Sequence, residues 1–301
     1  MTSRERIGFI LVLVVLGAGW GVTVPLTKIA VSNGFGHFGL IFWQLVIGSL
    51  LMGLLSLVRG RGLPITWQTL RVFAVVALLG TLIPNTASYQ AAVHLPAGIL
   101  SLLLATIPML AFPVALAMGL ERFAPRRLTG LLAGLCGVFI ILTPGASNAL
   151  GTPVFWMLIA LVASLCYALE GNVVAKWGTA GLDAVQVLFG ASVLGAIVIL
   201  PMALASGQFI PPRELMSTPG HALILASLSH ALVYAGYVWL VGRAGPVFAV
   251  QVSYLVTGFG LFWARLILNE AYPPAVWAAL AMMFIGLYLV QPRSKAVLAP
   301  T

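Results

Sequence analysis

The chain has 301 residues, 61% of them hydrophobic and only 7% charged, with a mean hydropathy of +1.10. A soluble domain carries about 25% Asp, Glu, Lys and Arg, so these charges cannot cover a water-exposed surface. A soluble enzyme, a disordered tail and a secreted disulfide scaffold are excluded together. The formal charge of +9, from 15 basic and 6 acidic residues, would point to nucleic acid on a soluble protein; in a membrane chain the position of each base decides.

A helix needs about 20 apolar residues to cross the hydrocarbon core, and ten runs bounded by Gly, Pro, Asn or a charge are candidates. Span 1 covers 7–30 and carries Trp20, Thr23 and Pro25, with Lys28 near the end that the charge pattern below puts outside, where a long side chain snorkels to the interface. Although Arg4 and Arg6 precede an apolar stretch with small residues at Gly17 and Ala18, the run continues past Trp20 and reads as a retained span. Span 2 covers 40–58. Span 3, 69–89, sets Thr81, Asn85 and Ser88 in a line with Tyr89 a turn after Asn85, and holds Pro84. Span 4, 97–120, contains Pro108 and Pro113, and span 5 is 128–143 with Cys136 as a packing residue. Span 6, 153–175, carries Tyr167, Asn172 and Glu170, the only acid inside a span, besides Cys166. Span 7 is 184–206, with Pro201. Span 8, 221–241, places Ser227, His230, Tyr234 and Tyr237 at spacings of 3, 4 and 3, which puts all four on one helical face. Span 9, 247–268, has Gln251 and Tyr254 three apart with Gly258 a turn further, and span 10 is 275–290. The prolines each free a backbone carbonyl and can kink their helices.

Lys and Arg collect on the cytoplasmic side of membrane proteins. With the N-terminus inside, twelve of the 15 bases fall in inner segments, and only Lys28, Arg213 and Arg265 fall outside. Both termini are therefore expected in the cytoplasm, and orientation accounts for the positive charge with no nucleic acid.

The chain also repeats itself. Glu121 is followed by Pro125 and Gly137, and Glu270 by Pro274 and Gly286, with the same spacings of 4 and 16 at a shift of 149; Tyr89 and Tyr237 add an aromatic echo at 148. Five spans per half is an odd number, so the second half enters from the opposite side. The expected organisation is an all-α membrane protein of ten transmembrane helices, as two inverted five-helix repeats, residues 1–145 and 146–301. Inverted repeats with a site at their interface are the build of many secondary transporters.

These residues resemble the drug/metabolite transporter superfamily, in particular its ten-helix EamA-type members. Trp20-Gly21 followed by Lys28 looks like the family's first-helix pattern, and Tyr89, Ala97, Pro108, Glu121, Gly130, Gly134 and Gly137 fall at the landmarks of its third to fifth helices. The second half departs from the pattern: no Pro matches Pro108, and Ala279 and Met283 stand where Gly130 and Gly134 would be. The chain looks most like the YddG-type exporters of aromatic and other neutral amino acids. The resemblance implies export of small metabolites by alternating access, through a cavity lined by spans 1, 3, 4, 6, 8 and 9. It implies lipid and a small-molecule substrate as partners, and no cofactor or metal.

Within that frame the candidate substrate-binding residues are His230, Tyr234, Tyr237, Ser227, Gln251, Tyr254, Asn85, Tyr89, Trp20, Tyr167 and Asn172. Polar groups in a bilayer are costly, and this set would make aromatic walls with hydrogen-bonding groups and few fixed charges. Such a lining suits a neutral or zwitterionic cargo with a flat apolar side chain. The competing reading is that the hydroxyls and amides join helices while the aromatics anchor at interfaces. Glu170 is as able to pair with Lys176 as to relay protons, and Glu121 and Glu270 are expected to cap or orient the next helix. The related small multidrug exporters carry an essential Glu in the first helix; span 1 has none, so facilitated or weakly coupled movement is expected. Other cargoes within the superfamily are a hydrophobic cation, which would want a cavity acid, a nucleotide sugar, which would want several bases, and a lipid-linked intermediate. An intramembrane enzyme is not expected, since HExxH, GxGD and GxSxG are absent and the single GxGxxG, at Gly34, Gly36 and Gly39, lies in an outer loop after a membrane helix.

Overall fold

The computed structural model describes residues 3–143, 151–244 and 251–290, and among these the regular elements are all helical. Eight stretches are long and apolar enough to cross a membrane, and two shorter apolar helices complete the ten. Span 1 comprises α1 (Ser3–Gly21) and α2 (Thr23–Ser32), span 2 is α3 (His37–Val58), and span 3 joins α4 (Trp67–Ala77) through a π-helical turn, Leu78–Leu82, to α5 (Ile83–His94). Span 4 is α6 (Ala97–Leu104) followed by α7 (Ile107–Ala117), and span 5 is α8 (Pro125–Leu142). Spans 6 to 10 are α9 (Val154–Trp177), α10 (Ala184–Ala205), α11 (Thr218–Ala244), α12 (Val252–Leu268) and α13 (Pro274–Val290). The expected boundary at residues 145 and 146 and the expected start of span 9 at Val247 lie outside the described residues.

Span 3 starts two residues earlier than expected because Thr66 and Thr69 cap each other. Thr69 N donates to Thr66 Oγ1 at 3.2 Å, and Thr66 N donates to Thr69 Oγ1 at 2.9 Å. Among the described residues three spans are interrupted, each just before a proline. A proline lacks the N–H and its ring crowds the carbonyl four residues back; for Pro25, Pro84 and Pro108 that carbonyl belongs to Gly21, Gly80 and Leu104, where the helices break or widen. Pro113 and Pro201 instead sit inside α7 and α10.

Backbone groups in lipid have no water to turn to, so carbonyls beside the breaks take donors from other spans. Trp263 Nε1 donates to Ala18 O at 3.0 Å, Ser229 Oγ to Gly19 O at 2.7 Å, and Ser164 Oγ to Leu103 O at 2.9 Å. Each of these bonds joins two different spans.

The spans pack in a pattern that maps onto itself when spans 1–5 are exchanged for spans 6–10. Span 5 packs on span 10 and span 2 on span 7; span 1 meets spans 8 and 9 as span 6 meets spans 3 and 4. That is the arrangement of two inverted five-helix repeats. The contact of α8 with α13 is close because glycines face it: a Cβ on Gly286 would lie 2.7 Å from Gly130 O, and one on Gly137 would lie 2.9 Å from Ala279 O. Ala279 and Met283, where the family's glycines are missing, are fully buried at this same contact.

The junction of spans 3 and 4 is held from two sides. Lys28 Nζ donates to Ala92 O at 2.6 Å and Val93 O at 3.1 Å, capping the last carbonyls of α5, while the Glu270 carboxylate accepts from Ala97 N at 2.6 Å and Gly98 N at 3.0 Å, capping the first amides of α6. Lys28 is thus a helix cap, and Glu270 caps a helix of the opposite half, not the one that follows it. Tyr272 OH donates to Glu270 Oε2 at 2.6 Å, and burial together with this bond pushes the phenol up. Glu121, its counterpart in the repeat, makes an ion pair at 2.9 Å in which its own carboxylate is exposed and the Arg127 side chain is largely covered.

Charge-assisted hydrogen bonds to buried backbone amides are worth about 1.5–3 kcal/mol each, and Glu270 makes two of them, against roughly 0–1 kcal/mol for a single ion pair with one partner at the surface. Glu270→Ala should therefore lower the thermal unfolding temperature in detergent clearly more than Glu121→Ala. Equal shifts for the two variants would remove the capping role.

Candidate functional site

The interrupted spans surround a cavity of about 570 Å³. Its wall comes from spans 1, 3, 4, 6, 8 and 9, and also from span 2, which contributes Leu40 and Gln44. One side of the wall is tied together by hydrogen bonds. Tyr167 OH on α9 donates to Asn85 Oδ1 on α5 at 3.0 Å, Asn85 Nδ2 donates to Gln44 Oε1 on α3 at 2.9 Å, and Tyr89 OH donates to that same Gln44 oxygen. An amide oxygen has two lone pairs, so Gln44 serves both donors and joins spans 2, 3 and 6.

The facing side is aromatic. Trp20, at the end of α1, meets three residues of α11, with ring centroids 6.2 Å from His230, 6.4 Å from Tyr234 and 5.4 Å from Tyr237. The Trp20 indole N–H is buried with no hydrogen-bond partner among the described residues, while His230 keeps an exposed surface in the cavity wall.

Seven of the expected residues line the cavity: Trp20, Asn85, Tyr89, Tyr167, Ser227, His230 and Tyr237. Four do not. Tyr234 lies edge-on to Trp20 and stands behind it. Asn172 is buried between helices, its Nδ2 donating to Ala111 O at 3.1 Å and Ala168 O at 2.8 Å, so it joins α9 to α7. Span 9 turns Val252, Ser253, Val256 and Thr257 toward the cavity, and Tyr254, outside that stripe, packs on Phe284 of α13 at 5.8 Å. Gln251 precedes α12 and is exposed.

Glu170 is the only Asp, Glu, Lys or Arg in the described wall. Of the two roles left open for Glu170, pairing with Lys176 is not made, because Lys176 Nζ donates to Met118 O at 2.9 Å at the end of α7. Gln44 was missed in the sequence because the family's lining pattern omits span 2. Its signal was there, as the lone amide side chain between His37 and Val58.

A multi-pass membrane bundle with interrupted helices around an internal cavity is a transporter architecture. Residues 7–143 and 154–291 each match the EamA-like transporter family, and the chain belongs to that family, within the drug/metabolite transporter superfamily. It is 24% identical, over 94% of its length and 93% of the relative's, to a probable terminal-alkyne amino-acid exporter of Streptantibioticus cattleyicolor. It is 22% identical to a chloroplastic WAT1-related protein of Arabidopsis thaliana, over 90% of this chain and 66% of that one. A solved crystal structure shares the fold, with a TM-score of 0.60 and 18% identity, covering 94% of this chain and 96% of the other.

Gln44→Leu would leave the Asn85 and Tyr89 donors without their acceptor. An unsatisfied buried donor costs about 1–3 kcal/mol, so the variant should unfold at a lower temperature in detergent, and Ser49→Ala, elsewhere on the same helix, should not. An unchanged transition for Gln44→Leu would show that the network contributes nothing to stability.

Proposed function

We propose that this transporter exports small neutral or zwitterionic metabolites, aromatic and other neutral amino acids foremost, from the cytoplasm across the inner (plasma) membrane by alternating access. The observation that carries the reading is the cavity wall. Trp20, Tyr89, Tyr167 and Tyr237 offer flat apolar surface, and the amide and hydroxyl groups between them offer hydrogen bonds without a field of fixed charge. In this reading Asn85, Tyr89, Tyr167, Ser227, His230 and Tyr237 contact the cargo along with the ring of Trp20, and the exposed His230 imidazole suits a substrate carboxylate. The name of the bacterial relative, an amino-acid exporter, points the same way.

Both termini would face the cytoplasm, because twelve of the 15 bases then lie on the inner side. The division into halves at residues 145 and 146 belongs to the same proposal. A second reading, export of a hydrophobic cation, is favoured by one observation, the presence of Glu170 in the wall.

Counterflow tests the cargo. Proteoliposomes preloaded with unlabelled phenylalanine should accumulate labelled phenylalanine transiently, and His230→Ala should slow this about tenfold, roughly 1.4 kcal/mol in barrier, while eluting as a monodisperse peak. Absence of counterflow across a panel of neutral amino acids would overturn the cargo. Wild-type flux in the His230 variant would overturn the assignment of that residue.

A further inference from the structure

The Glu170 carboxylate stands in the cavity wall on α9 without a hydrogen bond or an ion pair among the described residues. The fold makes room for it. Pro84 removes a donor from span 3, the helix widens into the π turn Leu78–Leu82, and Gly80 of that turn presents bare backbone to the carboxylate. A Cβ on Gly80 would fall 2.8 Å from Glu170 Oε1 and 2.9 Å from Oε2, so any other residue there would displace the group.

Among the described residues, no Lys or Arg on the helices around it pairs with it. Titratable or charged groups near it are Cys166 and Tyr167 on its own helix, Tyr89 on α5, and His230, Tyr234 and Tyr237 on α11; α6, α7 and the π turn carry none. Lys176 is bound to Met118 O, the Arg71 guanidinium of α4 lies 5.1 Å from the Trp67 ring centroid, and His94 of α5 stacks on Trp156 at 4.1 Å. An unpaired carboxylate away from bulk water is costly. The group is stable in such a place when it holds a proton or when a cation lies against it.

We propose that Glu170 is the cavity's exchange site, binding the ammonium group of the cargo in one phase of the cycle and a proton in the other. This rests on the transport reading above. Charge balances in the exchange: the protonated carboxyl meets an ammonium, releases one proton and becomes the carboxylate that holds the cation, and departure of the cargo on the far side lets a proton return. Export is thereby coupled to proton entry. For a zwitterion each cycle moves one positive charge inward; for a simple amine the exchange is electroneutral.

The test uses proteoliposomes carrying a trapped pH dye, with phenylalanine and phenethylamine as separate probes. Wild-type protein should move a proton opposite to each probe it carries, Glu170→Asp should keep that coupling, and Glu170→Gln should lose proton movement entirely. Imposing an electrical potential with valinomycin should change phenylalanine flux but not phenethylamine flux. Transport of either probe by wild-type protein without proton movement overturns the proposal, as does proton movement that survives in Glu170→Gln. If Glu170→Gln does not fold, proton movement by the wild-type and Asp proteins decides. Glu170-dependent exchange of phenethylamine alone, with no phenylalanine counterflow, would overturn the amino-acid cargo and leave the exchange site standing.

Discussion

The constraint from which the structure follows is that a helix broken inside lipid must be held at the break by other parts of the protein, since no water is there to serve its backbone. Spans 1, 3 and 4 are all interrupted near prolines, and the partners come from elsewhere in the chain: Trp263 and Ser229 serve span 1, Ser164 serves span 4, and Lys28 with Glu270 serves the junction between spans 3 and 4. With the exception of Lys28 these donors and acceptors belong to the other half. The bonds beside the breaks therefore tie the halves together, and the interrupted spans contribute to the wall of the cavity.

The acidic residues show the same economy. Asp183 caps α10 and pairs with Arg59 at 3.2 Å and Arg61 at 2.9 Å, tying the end of α3 to the start of α10. Glu270 caps α6, Glu121 meets Arg127, Glu5 lies in the first turn of α1, and Glu214 sits in the short 3-10 turn Pro212–Met216. These five act at helix ends or on loops. Glu170 differs in kind, since it faces the internal space and has been given a glycine to lie against.

Much of this was legible in the sequence because the bilayer makes its demands in one dimension. Run length gave the spans, and the stripe of Ser227, His230 and Tyr237 followed from helical spacing, three of its four members reaching the cavity. The rest depended on rotation and on distance, which spacing alone does not encode. Gln251 and Tyr254 form as good a stripe as the one on span 8, yet span 9 is turned so that Ser253 and Thr257 face inward. Lys28 read as an interfacial side chain because the carbonyls it caps are 64 residues away. A clue was present: Lys176 lies 148 residues after Lys28, the same shift as Tyr89 to Tyr237, and it too caps the end of a neighbouring helix.

The two walls of the cavity differ in what they have left to offer a ligand. On the Gln44 side, the amide and both phenols already donate to or accept from one another, so their hydrogen bonds hold spans 2, 3 and 6 in register and leave limited capacity for a guest. On the span 8 side, the Trp20 N–H has no acceptor and His230 meets Trp20 while remaining exposed to the cavity. The Trp20 nitrogen is closed off from the cavity, so it is the exposed His230 imidazole that remains open to a guest. On the proposed transport reading, the polar groups left for a guest are His230 on one side and Glu170 on the other, beside the aromatic surface of Trp20 and Tyr237. The amino-acid cargo proposed above carries an acceptor, a cationic group and a flat apolar body, and on that reading it meets all three surfaces where an uncharged hydrocarbon meets only the last.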